Sequence, residues 1–310
     1  MMTIYHYHVF GLNIESELEF PELLPRRVTH GEHSDILIRW QPVEVQGIDQ
    51  PIFKNTFLQA KKNLLWLNIK DVGRFLIADG SQIDIDPIEP IDLATIRLFL
   101  LGSCMGALLM QRDLFLLHGN TIKIGEACIA FVGDSGIGKS TLSGAFFKRG
   151  YSILADDVCA LDANLNVIPS LPQIKLWQDA AIKLGIETQA LRKVRANTDK
   201  YAIPLADQFY ERPLPLKIIY CLNKKSSLTV HLQSVVGLDK IKALQQNSYR
   251  YFYLRGLEKE AMHINQCIHV SQQVDLVSIS RPEDGFELDA LVDKIELDLS
   301  SRLLAPSGSF

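Results

Sequence analysis

The segment Gly133-Asp134-Ser135-Gly136-Ile137-Gly138-Lys139-Ser140 fits the pattern G-x-x-x-x-G-K-[S/T], and few short patterns restrict a fold as tightly. At average composition a bare match should arise in roughly one chain in a hundred of this length, so the flanking residues must carry the inference. Before the match, Ala127 to Val132 is an apolar run of the length and side-chain type expected of a buried strand. After it, Lys139 to Arg149 contains few helix breakers and sets Leu142, Ala145 and Phe146 on one helical face. Strand, loop and helix thus come in the order of a phosphate-binding loop. Its glycines let successive N–H groups turn inward as an anion nest, and the helix N-terminus adds positive charge. A di- or triphosphate such as ATP suits that nest, with contacts from Gly133 through Ser140 and Thr141. Lys139 would reach the β- and γ-phosphates and the Ser140 hydroxyl would ligate Mg²⁺. The bland alternative is an ordinary glycine turn between strand and helix.

The second feature is Ala155-Asp156-Asp157, which follows the short apolar run Tyr151 to Leu154. Neighbouring strand residues point to opposite faces, so two carboxylates at a strand end can serve different partners. Phosphoryl transfer to a hydroxyl needs two such roles, one carboxylate for Mg²⁺ and one to take the proton from the attacking group. The expected strand lies beside the loop strand. The alternative is that the pair only caps a turn. Acids this close to the loop are unlike those of motors and GTPases, where the metal-binding acid usually comes from a more distant strand.

Upstream, Leu114 to Leu117 leads into His118-Gly119-Asn120, and a second alternating run, Thr121 to Ile124, leads through Gly125-Glu126 to the loop strand. His118 is expected near a strand end. There it can assist proton transfer or bind phosphate, since its unperturbed pKa is near neutrality. A hydrogen-bonded structural histidine is the equally open alternative.

From Leu117 to Asp162 the residues resemble the kinase core of the HPr kinase/phosphorylase family. The match comprises His118-Gly119 before a hairpin, the loop Gly133 to Ser140, Arg149-Gly150 after the helix, and Ala155-Asp156-Asp157. The resemblance implies an α/β fold with a P-loop kinase core of HPr kinase/phosphoenolpyruvate carboxykinase type. The best-known members phosphorylate a serine on a small carrier protein with ATP. By this resemblance Lys139 binds phosphate, Ser140 and Asp157 hold Mg²⁺, Asp156 is the catalytic base, and His118 lies beside it. The chain departs from the family in three places. Val235 to Ile264 lacks the glycine- and asparagine-rich signature tied to phosphorolysis, Thr141 stands where Glu is usual, and the N-terminal segment differs. The whole layout looks more like HPr-kinase-related proteins encoded with peptide-modification systems, including lasso-peptide clusters, which makes a serine on a precursor peptide the expected acceptor.

Composition bounds the remaining classes. The chain has 310 residues, 47% of them hydrophobic, enough for one large domain or two small ones. A net charge of −4 gives no electrostatic footprint for nucleic acid. The cysteines Cys104, Cys128, Cys159, Cys221 and Cys267 form no CxxC pair and suit reduced core positions in a cytoplasmic protein. The N-terminus has no signal-peptide pattern. The most apolar stretch, Ile96 to Met110, is shorter than a membrane span and interrupted by Arg97, Gly102 and Gly106, so it is expected to be a buried helix starting near Asp92. No membrane partner is expected, and a homo-oligomer stays open.

Residues 1–88 show strand-like alternation at Ile4–Phe10, Asp35–Trp40, Thr56–Ala60, Leu64–Ile69 and Phe75–Ala78, which suggests a largely antiparallel β-rich module. The acidic, proline-containing run Asp84 to Pro90 is taken as a boundary before a P-loop kinase domain, 89–310. Within that domain a helix to about Gly185, a strand Leu216–Leu222 and a last helix of about Leu288–Leu303 are expected, followed by a loose Ser/Gly tail. The basic segment Arg192-Lys193-Val194-Arg195, with Lys200 and Arg212, suits a loop folding over the site, with Lys200 the first candidate for phosphate or acceptor contact. The pairs His6/His8 and His263/His269 lack a third ligand and read as surface histidines.

The sequence thus points to an ATP- and Mg²⁺-dependent kinase acting on a serine of a peptide or small protein. A small-molecule P-loop kinase and a non-catalytic, nucleotide-dependent regulatory subunit are the alternatives.

Overall fold

The computed structural model describes residues 3–27, 33–195, 197–224, 229–282 and 287–304. Among the described residues the chain is a mixed α/β protein of two eight-stranded sheets and one three-stranded sheet. The Ser/Gly tail expected after the last helix lies outside the described residues.

The first sheet takes its strands in the spatial order Tyr5–Val9, Leu12–Ser16, Ile36–Trp40, Gln82–Pro87, Gly73–Ala78, Leu64–Ile69, Leu58–Lys61 and Phe53–Lys54. Ile36–Trp40 runs parallel to both neighbours, and the other pairings are antiparallel. The run taken as a boundary from Asp84 is therefore largely a central strand. Its period-two pattern buries Ile83 and Ile85 while Asp86 faces the other way to accept from Arg74 at 2.7 Å. Acidic and proline content masked the alternation.

The helix expected after this sheet begins at Asp92, whose carboxylate caps it by accepting from the Ala94 and Thr95 N–H groups. It extends from Leu93 to Gln111, with a π-helical segment at Leu100–Cys104. At nineteen residues it has the length and composition of a membrane span, which corrects the shorter run inferred from sequence, and 67% of its apolar eighteen-residue window is buried inside the protein. Gly102 and Gly106 do not break it. They lie four residues apart on one face, and a Cβ at Gly106 would meet the Tyr249 ring at 2.6 Å. The glycines admit an aromatic ring.

The second sheet carries the glycine loop. Ala127–Val132 pairs antiparallel with Phe115–Ile124 and parallel with Leu214–Lys224. Phe115–Ile124 in turn pairs with Val158–Leu161, that strand with Asn166–Ile168, and Asn166–Ile168 with Leu214–Lys224. The five strands close on themselves. Asp275–Arg281 and His231–Ser234 extend the sheet beyond Leu214–Lys224. Ile153–Ala155 pairs with Phe115–Ile124 and not with the loop strand, as the sequence had suggested. The helix Lys139–Lys148 packs Leu142, Ala145 and Phe146 onto the core that holds Ile129 and Phe131. Arg149 fastens its end to the C-terminal helix Leu288–Leu304 through Asp289, Asp293 and Glu296.

A third, small sheet has the order Gln173–Trp177, Lys200–Pro204, Arg192–Lys193. One hydrophobic core crosses residue 88. It joins Ile14, Phe75 and Ile85 of the first sheet to Leu108 of the long helix and to Leu116, Ala160, Tyr253 and Leu257. All five cysteines are buried free thiols.

His263, taken from sequence as a surface residue, is a core residue. Its Nε2 lies 2.7 Å from Ser248 Oγ, its ring lies 5.2 Å from that of Phe115, and burial pushes its pKa down to about 4. The unfolded chain should then take up a proton near pH 6.5 that the folded chain refuses until about pH 4. Stability contributed by neutral His263 is complete above pH 6.5 and should be lost as pH falls through that window, by up to about 1.4 kcal/mol per unit. Urea denaturation across pH 4 to 7 should show a shallower decline in His263→Gln than in the wild type. Equal slopes would contradict the assignment.

Candidate functional site

The glycine loop spans the gap between the end of Ala127–Val132 and the start of the helix at Lys139. Gly133, Gly136 and Gly138 all have positive φ, at 144°, 79° and 106°, a backbone that L side chains adopt only with strain. At Gly133 close approach adds a second reason, since a Cβ there would meet the Leu222 carbonyl oxygen at 2.8 Å. Because the helix opens at Lys139, its first N–H groups have no partner within the helix. A loop of this geometry can receive an anion.

A cleft of ≈ 160 Å³ lies against the loop, lined by Ser135, Gly136, Gly138, Lys139, Ser140 and Thr141 on one side. His118, Asn120 and Asp157 form another wall, and Leu176, Trp177, Asp179, Ala180 and Lys200 the third. Gly133, Asp134 and Ile137 do not line it. The Ile137 side chain is core, and its carbonyl accepts from Arg281. The Lys139 ammonium donates to the Gly133 and Asp134 carbonyls at 2.7 and 3.1 Å, and burial lowers its pKa against the opposing pull of Asp157 and Asp134.

His118 and Asn120 reach the cleft together because they lie two apart on one strand. His118 sits in the middle of that strand and not near an end. There the strand's pairing changes from Val158–Leu161 to Ala127–Val132. Between them Gly119 passes so close to its neighbour that a Cβ would meet the Phe131 carbonyl oxygen at 2.7 Å. His118 Nδ1 lies 3.2 Å from the Asp157 carbonyl oxygen and 3.4 Å from Asp157 Oδ1. Its ring stands 5.9 Å from that of Tyr249, the residue seated on the helix glycines. Burial, with Lys139 nearby, lowers its pKa and keeps the ring neutral near pH 7.

Asp156 and Asp157 form a tight turn in which the Val158 N–H donates to the Asp156 carbonyl at 3.0 Å and Asp157 takes φ 76°. This is a γ-turn with strained φ at its centre. The turn sends the two carboxylates to different places. Asp156 is 3% exposed. Its Oδ1 accepts from Asn120 Nδ2 at 2.6 Å and from Ser140 Oγ at 3.4 Å, and its Oδ2 accepts from the Lys175 N–H at 3.0 Å. Burial raises its pKa, opposed by Lys175. Asp157 is about a third exposed and lines the cleft, with its Oδ2 2.9 Å from Lys175 Nζ. The Lys175 ammonium holds Asp157 well below the usual carboxylate range, against burial, which pulls the other way. The structure thus sets Ser140 against Asp156, whereas the sequence had grouped it with Asp157.

Lys175 is a residue that sequence reasoning missed, as is Asn120. Lys175 lies on Gln173–Trp177 between the buried Ile174 and Leu176, where alternation alone would send it to solvent. Burial would strip its ammonium of the proton, but Asp157 and Asp156 outweigh that and hold it charged. No local pattern announces such a residue.

Of the basic segment, Lys200 reaches the cleft, with its ammonium 5.9 Å from the Trp177 ring centre. Arg192 pairs with Glu22 at 2.7 Å and Lys193 with Asp199 at 2.9 Å, and Arg212 is exposed away from the cleft. Among the described residues no group of three or more His, Cys, Asp or Glu side chains could hold a metal.

No protein-family model matches the chain, and no curated protein matches it in sequence. Among solved structures it matches the HPr(Ser) kinase/phosphatase from Coxiella burnetii at 14% identity, over 61% of this chain and 97% of that one, with a TM-score of 0.29. A superposition that loose leaves the fold and the site to be judged on the strand pairings and contacts above.

The Lys175–Asp157 pair should couple strongly in folding. Lys175→Met should cost about 2 kcal/mol by leaving buried Asp156 and partly exposed Asp157 without their cation, and the double variant with Asp157→Asn should recover at least about 1 kcal/mol of the summed loss. A double-mutant cycle in urea checks this. Simple additivity would mean that the pair is not a functioning ion pair.

Proposed function

We propose that the chain is a phosphotransferase that moves the γ-phosphoryl group of ATP to a serine hydroxyl of a peptide or small protein, with Mg²⁺ as cofactor. The observation that supports this most is the convergence of the glycine loop and the Asp156–Asp157 turn on one cleft. The preference for serine rests on the resemblance of Leu117 to Asp162, and that for a peptide acceptor on the resemblance of the whole layout to kinases encoded with peptide-modification systems.

The oxygens near the loop suit Mg²⁺: Ser140 Oγ and Asp156 Oδ1 are hard donors 3.4 Å apart. Mg²⁺, when bound, supplies charge neutralisation at the phosphates. The phosphates would lie on the loop N–H groups, with the Lys139 ammonium leaving its loop carbonyls to meet them. A general base must first reach the proton and only then match it in pKa. By that order Asp157, which lines the cleft, is the better candidate than the buried Asp156, an exchange of the two roles inferred from sequence. Asp157, kept ionised by Lys175, accepts the serine proton as the hydroxyl oxygen attacks the γ-phosphorus, the bond from that phosphorus to the bridging oxygen breaks and ADP leaves. Neutral His118 steadies the carboxylate and can pass the proton outward. Leu176 and Trp177 give the cleft an apolar wall.

Incubation with ATP, Mg²⁺ and a serine-containing peptide, read by mass spectrometry, tests this. Wild type should add phosphate to serine. Asp157→Asn should keep nucleotide affinity within about threefold and lower transfer roughly 10²- to 10⁴-fold, while Lys139→Ala should weaken binding and transfer together. If Asp156→Asn gives the selective loss of transfer and Asp157→Asn does not, the base is Asp156. Nucleotide binding without transfer in the wild type would favour the regulatory-subunit alternative.

A further inference from the structure

We propose that Asn120 is a ligand of the divalent cation that accompanies the nucleotide, its Oδ1 joining Ser140 Oγ and Asp156 Oδ1 in one oxygen site. This rests on the phosphotransferase proposal above.

Asn120 is 1% exposed, and a carboxamide that deep in a protein ordinarily uses both its donor and its acceptor. Its donor is used, since Nδ2 holds Asp156 Oδ1 at 2.6 Å. Its acceptor is not: among the described residues Oδ1 has no hydrogen-bond partner. Three other buried side-chain oxygens share that condition, those of Glu22, Thr121 and Ser143, but none of these residues lines the cleft. The amide cannot turn to hide the oxygen without giving up its bond to Asp156. The orphaned atom therefore sits beside the carboxylate that also faces Ser140. What belongs next to it is an electrophile, and an unpartnered acceptor in this position is destabilising unless one arrives.

The donor types name the electrophile. Carboxamide, hydroxyl and carboxylate oxygens are hard ligands of the kind that hold Mg²⁺ or Mn²⁺, not the nitrogen and sulfur donors that select zinc or copper. Phosphate oxygens and water would supply the ion's remaining ligands. Strand geometry fixes the donor: Asn120 lies two residues from His118 on the cleft side, and Gly119 between them allows the close strand packing that holds both in place.

A purely structural Asn120 would act only through its N–H on Asp156, so the test separates oxygen from nitrogen. Mn²⁺ binding is measured by electron paramagnetic resonance with a non-hydrolysable ATP analogue present, and Cd²⁺ competition against Mg²⁺ is followed in the same samples. Asn120→Ala should weaken cation affinity ten- to a hundredfold with cation-free nucleotide binding unchanged. Asn120→Asp, which keeps an oxygen, should retain or tighten it. Asn120→Cys should move preference from Mg²⁺ towards Cd²⁺ by at least tenfold, because sulfur replaces oxygen in the ligand set. Unchanged metal preference in folded Asn120→Cys, or a loss in Asn120→Asp equal to that in Asn120→Ala, overturns the ligand role. These readouts do not depend on transfer. A wild type that binds the cation through Asn120 and moves no phosphate would keep this inference and lose the kinase, and one that transfers phosphate with cation binding indifferent to Asn120 would do the reverse.

Discussion

A lysine ammonium taken almost wholly out of water sets the arrangement of the cleft. Lys175 bonds one carboxylate through its Nζ and the neighbouring one through its backbone N–H, so a single residue fixes both members of the Asp156–Asp157 turn. Two adjacent acids without it would repel each other and share protons unpredictably. With it, one stays ionised at the cleft wall and the other is pressed inward against Asn120 and Ser140. The turn pays for this with a non-glycine residue at φ 76°, strain of order 1–3 kcal/mol that the ion pair and the flanking strands must hold in place.

The support reaches back to residues far from the cleft. Gly102 and Gly106 open a slot on the long helix for Tyr249, the Tyr249 ring stands beside His118, and His118 touches Asp157. Glu22 grips Arg97 of the same helix at 3.1 Å and Arg192 of the small sheet at 2.7 Å. The cleft is therefore held by a succession of close-packed contacts whose first member is a missing side chain.

Local elements were legible where a strong period met an unambiguous residue. The loop strand, the helix after it, the Asp92 cap, the Leu214–Lys224 strand and the C-terminal helix all carry their signals within a dozen residues. Pairing was not legible, because it is decided by contacts distant in sequence. Ile153–Ala155 lies beside Phe115–Ile124, and Gln82–Pro87 is a central strand despite its acids and proline. The same limit hid half of the candidate site. The glycine loop and the aspartates stand out as types in a pattern, whereas Lys175 and Asn120 matter only because the fold brings them to the same carboxylates. His263 was misread for a related reason: its burial comes from Phe115 and Ser248, neither of which its own helix predicts.

The core that joins the first sheet to the long helix and to Leu116, Ala160 and Leu257 runs beneath an exposed connection at Glu89 to Leu93. Cutting the backbone there removes one covalent link and leaves the interior intact. The two pieces would then remain together as a complex whose interface is an interior, dry and preshaped, and not a pair of surfaces brought into contact. Separately made, each would carry half a core open to water, so they would be expected to recover structure only by recombining, as complementing fragments do. The connection at residue 90 is in that sense a leash, and the packing on either side of it is the joint.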